Sequence, residues 1–512
     1  MSTRLFKSTA VVGLMTLISR VLGFVRDMMF AQIFGVGAAT DAFFVAFKIP
    51  NFMRRLFAEG AFSQAFVPVL SEVRETGSHT NVTDFVDRVA GTLGGILTVV
   101  TIVGVLAAPV LIAIFAPGFV GDEQKYLLAV DMLRLTFPYL LFISLTALAG
   151  GILNTFGRFA VPAFTPVFLN LVLIAASLWL APQMDEPVVA LAWGVLVAGI
   201  VQLLFQFPFL RQIHLLPRPR WGWHDSGVRK ILRLMGPALF GVSVTQINLL
   251  IDTLIASFLV TGSVTWLYYS DRLVEFPLGL FGVALATVIL PGLSKKHAEA
   301  SSEAFSDTLD WALRWVSLIV PAAMVGLFLL SAPILTTLFQ YDQFTEHDVV
   351  MSARSLMAYT LGLAGFVLIK ILATGFFARQ DTRTPVRIAV IAMLCNLMLN
   401  LILVVPLAHA GLALATALAA TVNASLLYRA LRRQGVYRPR PGWGRLALQV
   451  MFANAVLAAT LITLAAPVQV WFEWSGWERG TELLLCVGAG LLVYVASLLL
   501  VGIRPRQFMG SH

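Results

Sequence analysis

Charged side chains lie inside a strongly apolar stretch, residues 40–71, and their types and spacing could bind a ligand. Lys48, Arg55 and Glu59 are seven and four residues apart, so they share one face of a helix. A charge near the centre of a membrane helix costs about 2.5–3.5 kcal/mol, and such residues normally face a water-filled cavity or a partner. The stretch therefore predicts a polar cavity or an ion-pair network at membrane depth.

Further basic residues lie in the apolar stretch before it, residues 11–35. Arg20 and Arg26 are six residues apart there, on roughly neighbouring sides of a helix. In the next stretch, Asp41 shares the side of Lys48, and Arg54 is adjacent. Two consecutive spans therefore bring basic side chains to membrane depth.

The composition indicates a membrane protein with many spans. The chain has 512 residues, of which 58% are hydrophobic and 12% are charged, against about 25% charged in soluble domains. Since a span needs about 20 apolar residues, the apolar blocks predict an all-α polytopic membrane protein with about fourteen transmembrane helices. The loops are too short for a soluble catalytic domain, and Cys395 and Cys486, both in apolar blocks, predict neither a disulfide framework nor a metal site.

The loop charges predict the orientation of the chain. The net charge of +9 invites a nucleic-acid interpretation, but the basic residues concentrate in alternate loops. Loops after even-numbered spans are basic, as at residues 211–230 and 429–445, and loops after odd-numbered spans are acidic, as at residues 342–348. By the positive-inside rule, both termini are expected to be cytoplasmic, with no nucleic-acid partner.

A faint internal repeat predicts two related halves. FVPVLSE at residues 66–72 is similar to ILPGLSK at residues 289–295, and ILNTFGRF at residues 152–159 is similar to ATGFFARQ at residues 373–380. Two parallel six-helix lobes with a substrate site between them form a transporter architecture. The predicted domains are an N-lobe, a C-lobe and a C-terminal pair of spans, at residues 1–225, 226–440 and 441–512.

Four long motifs closely resemble one family, the MurJ (MviN) family of bacterial lipid II flippases. The motifs are SRVLGFVRD at 19–27, ATDAFFVAFKIPNFMRRLFAEGAFSQAFVPVLSE at 39–72, YYSDRLVEFPLGLFGVALATVILPGLS at 268–294 and FFARQDTRTP at 376–385. This family belongs to the multidrug/oligosaccharidyl-lipid/polysaccharide exporter superfamily. The resemblance implies a transporter, not an enzyme, in the bacterial inner membrane. Its substrate would be undecaprenyl-diphosphate-linked MurNAc-pentapeptide-GlcNAc, moved from the cytoplasmic to the periplasmic leaflet for peptidoglycan synthesis.

The resemblance also implies partners and a tail site. Lipid II and membrane lipids are the expected partners, together with cell-wall synthesis enzymes, and the two C-terminal spans would form a hydrophobic groove for the lipid tail. No cofactor is expected other than a coupling ion, Na⁺ or H⁺.

Four arginines match the family's functional positions and are expected to bind the diphosphate. These are Arg20, Arg26, Arg54 and Arg272. The planar guanidinium donates paired hydrogen bonds to phosphate oxygens and stays charged at any working pH. Three carboxylates are interpreted as gates that release the arginines when the diphosphate competes: Asp41, Glu59 and Glu275. The alternative is that the same residues form structural ion pairs between the lobes.

A second polar cluster in the C-lobe carries hard oxygen ligands that suit Na⁺. Its members are Asp252, Asn396, Asn400 and Thr416. Alternatively, the two asparagines join helices by hydrogen bonds, and Asp252 titrates a proton or only faces the cavity. Membrane potential alone, worth about 2.3 kcal/mol per charge per 100 mV, could also drive the cycle.

Other functions remain as alternatives. A multidrug exporter of organic cations would need carboxylates and aromatics where this chain has arginines. A flippase for another polyprenyl-diphosphate-linked oligosaccharide shares the diphosphate and is separated only by the motif match. A membrane glycosyltransferase would need acidic catalytic residues on a sizeable loop, and a scaffold for cell-wall enzymes would not need arginines at membrane depth.

Overall fold

The computed structural model describes residues 3–299 and 301–503. Side chains are described at these positions except residues 3–10, 57–60, 237–238, 240–245, 283 and 288. Over the described ranges the regular secondary structure is helical, which confirms the predicted all-α class. The chain divides into two compact units, Met1–Thr265 and Trp266–His512.

The first unit contains eleven α-helices. They are α1 (Thr3–Phe34), α2 (Ala38–Arg54), α3 (Ser63–Thr76), α4 (His79–Leu106), α5 (Ala108–Phe115), α6 (Glu123–Thr136), α7 (Tyr139–Thr155), α8 (Ala160–Phe164), α9 (Pro166–Ala175), α10 (Val189–Gln212) and α11 (Ser226–Ala256). The break between α1 and α2 falls at Gly35, whose φ of 61° suits a residue without a side chain. Beyond it, the Thr40 hydroxyl accepts a hydrogen bond from the Gly37 N–H at 2.8 Å and thereby helps start α2.

The second unit begins within α12 (Ser263–Pro277) and contains the remaining helices. They are α13 (Ala284–Ala298), α14 (Ser302–Leu329), α15 (Ser331–Phe339), α16 (Glu346–Thr360), α17 (Leu363–Phe377), α18 (Arg383–Arg433), α19 (Trp443–Leu464), α20 (Val468–Glu473) and α21 (Gly476–Leu500). Ala408 interrupts α18 with a non-helical φ of 50°, so the long helix is two helices joined at a sharp bend.

Both copies of the sequence repeat follow a π-helical segment. Arg55–Phe62 joins α2 to α3, and Leu278–Val283 joins α12 to α13. Each segment begins at the same distance in sequence before its copy of the repeat motif. A π-helical turn inserts an extra residue and is frequent at functional sites. The charged helices α2 and α12 therefore share a local geometry as well as a sequence motif.

Helix length and apolarity confirm a polytopic membrane protein. Nine helices of the described chain are long and apolar enough to cross a membrane, or ten if the bent pair α16 and α17 is one span. In this count α18 is a single helix despite its bend. The exact number of fourteen spans stays a prediction.

Small residues bring the helices of the first unit close together. A Cβ at Gly104 of α4 would lie 2.0 Å from the ring of Phe137, and one at Gly199 of α10 would lie 2.8 Å from the ring of Tyr139. Membrane helices gain little from apolar burial against lipid, so they associate through this kind of close packing. The aromatic rings in these contacts position α6 and α7 within the unit.

Candidate functional site

Arg26 is a buried cation in the second half of the long helix α1. Its side chain, on α1, is only 4% exposed. Nε and Nη2 donate to Asp27 Oδ1 at 2.9 and 2.6 Å, and Nη1 donates to Asn170 Oδ1 at 3.0 Å. The guanidinium carbon also lies 5.4 Å from the centre of the Phe30 ring. The charge is thus held by one carboxylate, one amide and one aromatic ring.

Asn170 of α9 is a site residue that the sequence did not reveal. Its Nδ2 donates to the Ser19 carbonyl at 2.9 Å while its Oδ1 accepts from Arg26. Asn170 therefore fixes the guanidinium to two turns of α1 at once. Its position in an otherwise apolar helix was the one available signal, because a lone amide at membrane depth needs partners.

The other two arginines of the first unit that are predicted to bind the diphosphate have different surroundings. Arg54, at the end of α2, is half-buried and donates from Nε and Nη2 to Asn51 Oδ1 at 2.9 and 2.7 Å. Arg20 is exposed on α1. The side chain of Glu59, predicted as a gate, lies outside the described residues. Arg26 is therefore the buried member of the predicted set in this unit.

Asp41 is the centre of a buried polar cluster, which we call the Asp41 clamp, formed by Asp41, Lys125, Gly262 and Thr265. The carboxylate is 1% exposed. It accepts from Lys125 Nζ at 2.9 Å and the Gly262 N–H at 2.8 Å, and from Thr265 through its N–H at 3.0 Å and its hydroxyl at 2.7 Å. Lys125 also lies over the Phe119 ring at 4.3 Å. The clamp joins the first turns of α2 and α6 to the connection between α11 and α12.

The partner of Asp41 is a lysine from another helix and not one of the arginines. Lys125 lies 84 residues away in sequence and is 5% exposed. Asp122 and Glu123 lie beside Lys125 at the start of α6 and make this segment acidic by sequence, so sequence analysis did not single out the buried lysine. The hydrogen-bonded geometry offsets the desolvation of both charges, which otherwise makes buried ion pairs unfavourable.

Arg272 in the second unit forms the ion pair that helix periodicity indicates. Its Nη1 donates to Glu275 Oε2 at 2.8 Å, three residues along α12. Nε and Nη2 both donate to the Tyr268 hydroxyl at 3.3 Å, and the guanidinium lies 5.2 Å from the centre of that ring. The side chains of Arg272 and Glu275 are both partly exposed.

Three of the four polar residues predicted to hold Na⁺ lie in the second unit, and the fourth lies in the first. Asn396 and Asn400 lie in the first half of α18 and Thr416 in the second, and both asparagines are fully buried. Asn396 Nδ2 donates to Thr416 Oγ1 at 3.2 Å, and Asn400 Nδ2 donates to Asn396 Oδ1 at 2.9 Å. Asp252 is a buried residue of α11 in the first unit. Among the described residues, no group of three or more His, Cys, Asp or Glu side chains could hold a metal ion.

Comparison with known proteins identifies relatives over the full length. The family model described as "Lipid II flippase MurJ" matches residues 30–477. A probable lipid II flippase MurJ of Vibrio cholerae serotype O1 is 50% identical and covers 100% of this chain and 98% of its own. A probable lipid II flippase MurJ of Haemophilus influenzae is 46% identical, and the match covers 97% of this chain and 100% of the relative. A lipid II flippase MurJ of Burkholderia cenocepacia is 44% identical over 96% of each.

Solved structures support the same fold. A lipid II flippase MurJ in an inward closed conformation matches with a TM-score of 0.81 at 27% identity, covering 95% of this chain and 98% of its own. An inward-facing multidrug resistance transporter of the MATE family, in the MOP superfamily, matches with a TM-score of 0.65 at 15% identity, over 83% and 98%. The second likeness concerns the fold alone.

Proposed function

Because the chain belongs to the lipid II flippase MurJ family, we propose that it moves lipid II from the cytoplasmic to the periplasmic leaflet by alternating access, for peptidoglycan synthesis. The observation that carries the proposal beyond family membership is the buried Arg26, held by Asp27 and Asn170. A buried arginine that stays charged matches the diphosphate, which is the charged link between the polar head group and the isoprenoid tail of the substrate.

In this mechanism the arginines exchange protein partners for phosphate oxygens. Arg272 leaves Glu275, and Arg26 turns from Asn170, when the diphosphate offers a doubly charged acceptor. Arg20 and Arg54 complete the cationic set, while the isoprenoid tail stays in lipid along the C-terminal spans at residues 441–512. The head group then crosses in a hydrated space between an N-lobe at residues 1–225 and a C-lobe at residues 226–440.

The carboxylates act as gates in the proposed cycle. The Asp41 clamp keeps the start of α12 against α2 and α6 in the conformation described. Opening on that side requires its four hydrogen bonds to break, and Glu59 and Glu275 release their partners in turn. A ligand can drive such a change only through a difference in affinity between the two states, which the competition for arginine supplies.

Orientation, coupling and partners complete the proposal. Both termini lie in the cytoplasm of a multi-pass inner-membrane protein, as the basic loops indicate. Na⁺ bound by Asp252, Asn396, Asn400 and Thr416 couples the cycle to an ion gradient, with H⁺ at Asp252 or membrane potential as the other drives. The cytoplasmic and periplasmic enzymes of cell-wall synthesis are the expected protein partners.

The test is the leaflet distribution of lipid II in cells depleted of the native protein. Cells would be complemented with the native chain, with Arg26→Ala or with Arg134→Ala, a matched control in an exposed ion pair. A periplasmic enzyme that consumes only exposed precursor provides the readout. We expect inner-leaflet lipid II to accumulate with Arg26→Ala at native protein abundance, and to be consumed with the native chain and the control.

Two results would count against the proposal. If depletion leaves lipid II exposure unchanged while another lipid-linked oligosaccharide accumulates, the substrate is that oligosaccharide. If Arg26→Ala restores consumption as well as the native chain does, the buried arginine does not bind the substrate.

A further inference from the structure

An apolar cavity of about 260 Å³ lies within the first unit, apart from the charged residues described above. Its walls come from α4, α7 and α11, with Phe62 of the π-helical segment behind them. Among the described side chains that line it, all are apolar except Thr92, whose hydroxyl accepts from the Gly222 N–H at 2.9 Å, and Ser144. The buried Ser144 hydroxyl has no hydrogen-bond partner in the part of the chain that the structure describes.

Such a space is better suited to hydrocarbon than to water. A water molecule needs two to four polar partners, and these walls provide almost none. An empty cavity would forfeit dispersion contacts along its whole lining. An apolar occupant therefore stabilises the packing of α4, α7 and α11.

The cavity opens beside an exposed apolar surface of α4. Val100 of α4 lines it and is also 39% exposed. The neighbouring turns of α4 expose Val99, Val103 and Leu106, as a helix in contact with acyl chains does. A chain of the surrounding bilayer can thus reach the cavity without crossing a polar barrier.

Basic and aromatic side chains mark the end of the cavity at the start of α11. Arg229 and Arg233 are four residues apart and share a side of α11, next to Leu232 at the edge of the face that lines the cavity. Both arginines are exposed. Just before α11, the exposed rings of Trp221 and Trp223 stack at 6.2 Å.

Tryptophan with arginine is typical of the membrane–water interface. Basic residues there attract anionic lipids of the cytoplasmic leaflet. The loop before α11 is held in place by Asp87, which accepts from the Arg218 N–H at 2.6 Å, so the rim has a defined geometry. A phosphate at this rim and a chain in the cavity would belong to one molecule.

We propose that this cavity is a binding site for an anionic membrane phospholipid. One acyl chain fills the space between α4 and α11, and the headgroup phosphate lies against Arg229 and Arg233. The site involves none of the residues assigned to lipid II and does not depend on the proposed function. By holding α11 to α4 and α7, the lipid stabilises the first unit.

The experiment measures phospholipid retained by the purified full-length chain in detergent, by native mass spectrometry. Phosphatidylglycerol and phosphatidylcholine with identical acyl chains are titrated separately. We expect one phosphatidylglycerol molecule to be held tightly and phosphatidylcholine to bind more weakly. Arg233→Gln should weaken the binding of phosphatidylglycerol about fivefold, the effect of one basic residue near an anionic surface. The control Arg387→Gln, which replaces an exposed arginine elsewhere, should leave this binding unchanged.

A second variant tests the cavity itself. Ser144→Leu fills it with hydrocarbon and should abolish the retained lipid of either headgroup. The matched control Val103→Leu adds a methylene on the outer face of α4 and should leave retention unchanged. If Ser144→Leu fails to fold, Arg233→Gln and the headgroup comparison still decide. Equal retention of both lipids by the native chain, or equal retention by native and Arg233→Gln, would overturn the proposal, as would displacement of the bound molecule only by a polyprenyl phosphate.

Discussion

Replacing Asp41 by Asn would test the Asp41 clamp most directly, because the substitution keeps the shape of the side chain and removes its charge. The carboxylate accepts four hydrogen bonds, from Lys125, Gly262 and Thr265. An amide would direct an NH₂ group at some of these donors. Lys125, 5% exposed, would keep the Phe119 ring but lose its anion.

The magnitude follows from the burial of both charges. Removing one partner of a buried ion pair costs about 3–5 kcal/mol, since the remaining charge stays desolvated. If the clamp closes one side of the transporter, the penalty applies to the closed state only. The ratio of closed to open states would then fall by more than about a hundredfold.

The assay is cysteine accessibility at the clamp. Ser263, between the two clamp residues Gly262 and Thr265, is 0% exposed and would carry the reporter as Ser263→Cys. With Cys395→Ala and Cys486→Ala as background, a membrane-impermeant maleimide should label the native chain slowly. Labelling should become much faster with Asp41→Asn.

A double-mutant cycle separates the clamp from general loosening. Lys125→Met alone leaves the Asp41 carboxylate unpaired, whereas Asp41→Asn with Lys125→Met removes both charges. We expect the double variant to be less perturbed than the sum of the singles, with a coupling of about 0.5–3 kcal/mol. Unchanged labelling in Asp41→Asn, or strictly additive effects, would refute the reasoning.

Two further predictions concern coupling and pH. If Asn396 binds Na⁺, Asn396→Leu should raise the Na⁺ concentration for half-maximal lipid II exposure more than about tenfold in proteoliposomes. Loss of stability with unchanged Na⁺ dependence would mean that Asn396 only forms its hydrogen bonds with Thr416 and Asn400. Burial alone would raise the pKa of Asp381, but hydrogen bonds from Thr384 and the charge of Arg379 hold that pKa below its ordinary value of 3.8. This stabilisation is present above the ordinary pKa and is lost as pH falls through the lower folded value. Thr384→Val should therefore lower the unfolding temperature in detergent at pH 6 but have little effect once Asp381 is protonated in the native chain. A difference in unfolding temperature between variant and native chain that does not change with pH would contradict this.

Sequence alone predicted the class of fold and the family. Hydropathy reports on single helices, so the apolar blocks were sufficient for an all-α membrane protein. Arg272 and Glu275 are three residues apart, a spacing that brings two side chains to one face of a helix, and they form an ion pair in the structure. Long ungapped motifs predicted the family.

Tertiary structure decided which partners hold the buried charges. Asp41 is paired with Lys125 from 84 residues away, and Arg26 with Asn170 from 144 residues away. Helix periodicity places a residue on a face but does not say which helix packs against that face. The cavity beside Ser144 likewise exists only because α4, α7 and α11 leave space between them. The sequence therefore shows which charged residues lie in apolar helices and on which helix face. Their partners depend on the packing of helices that are distant in sequence.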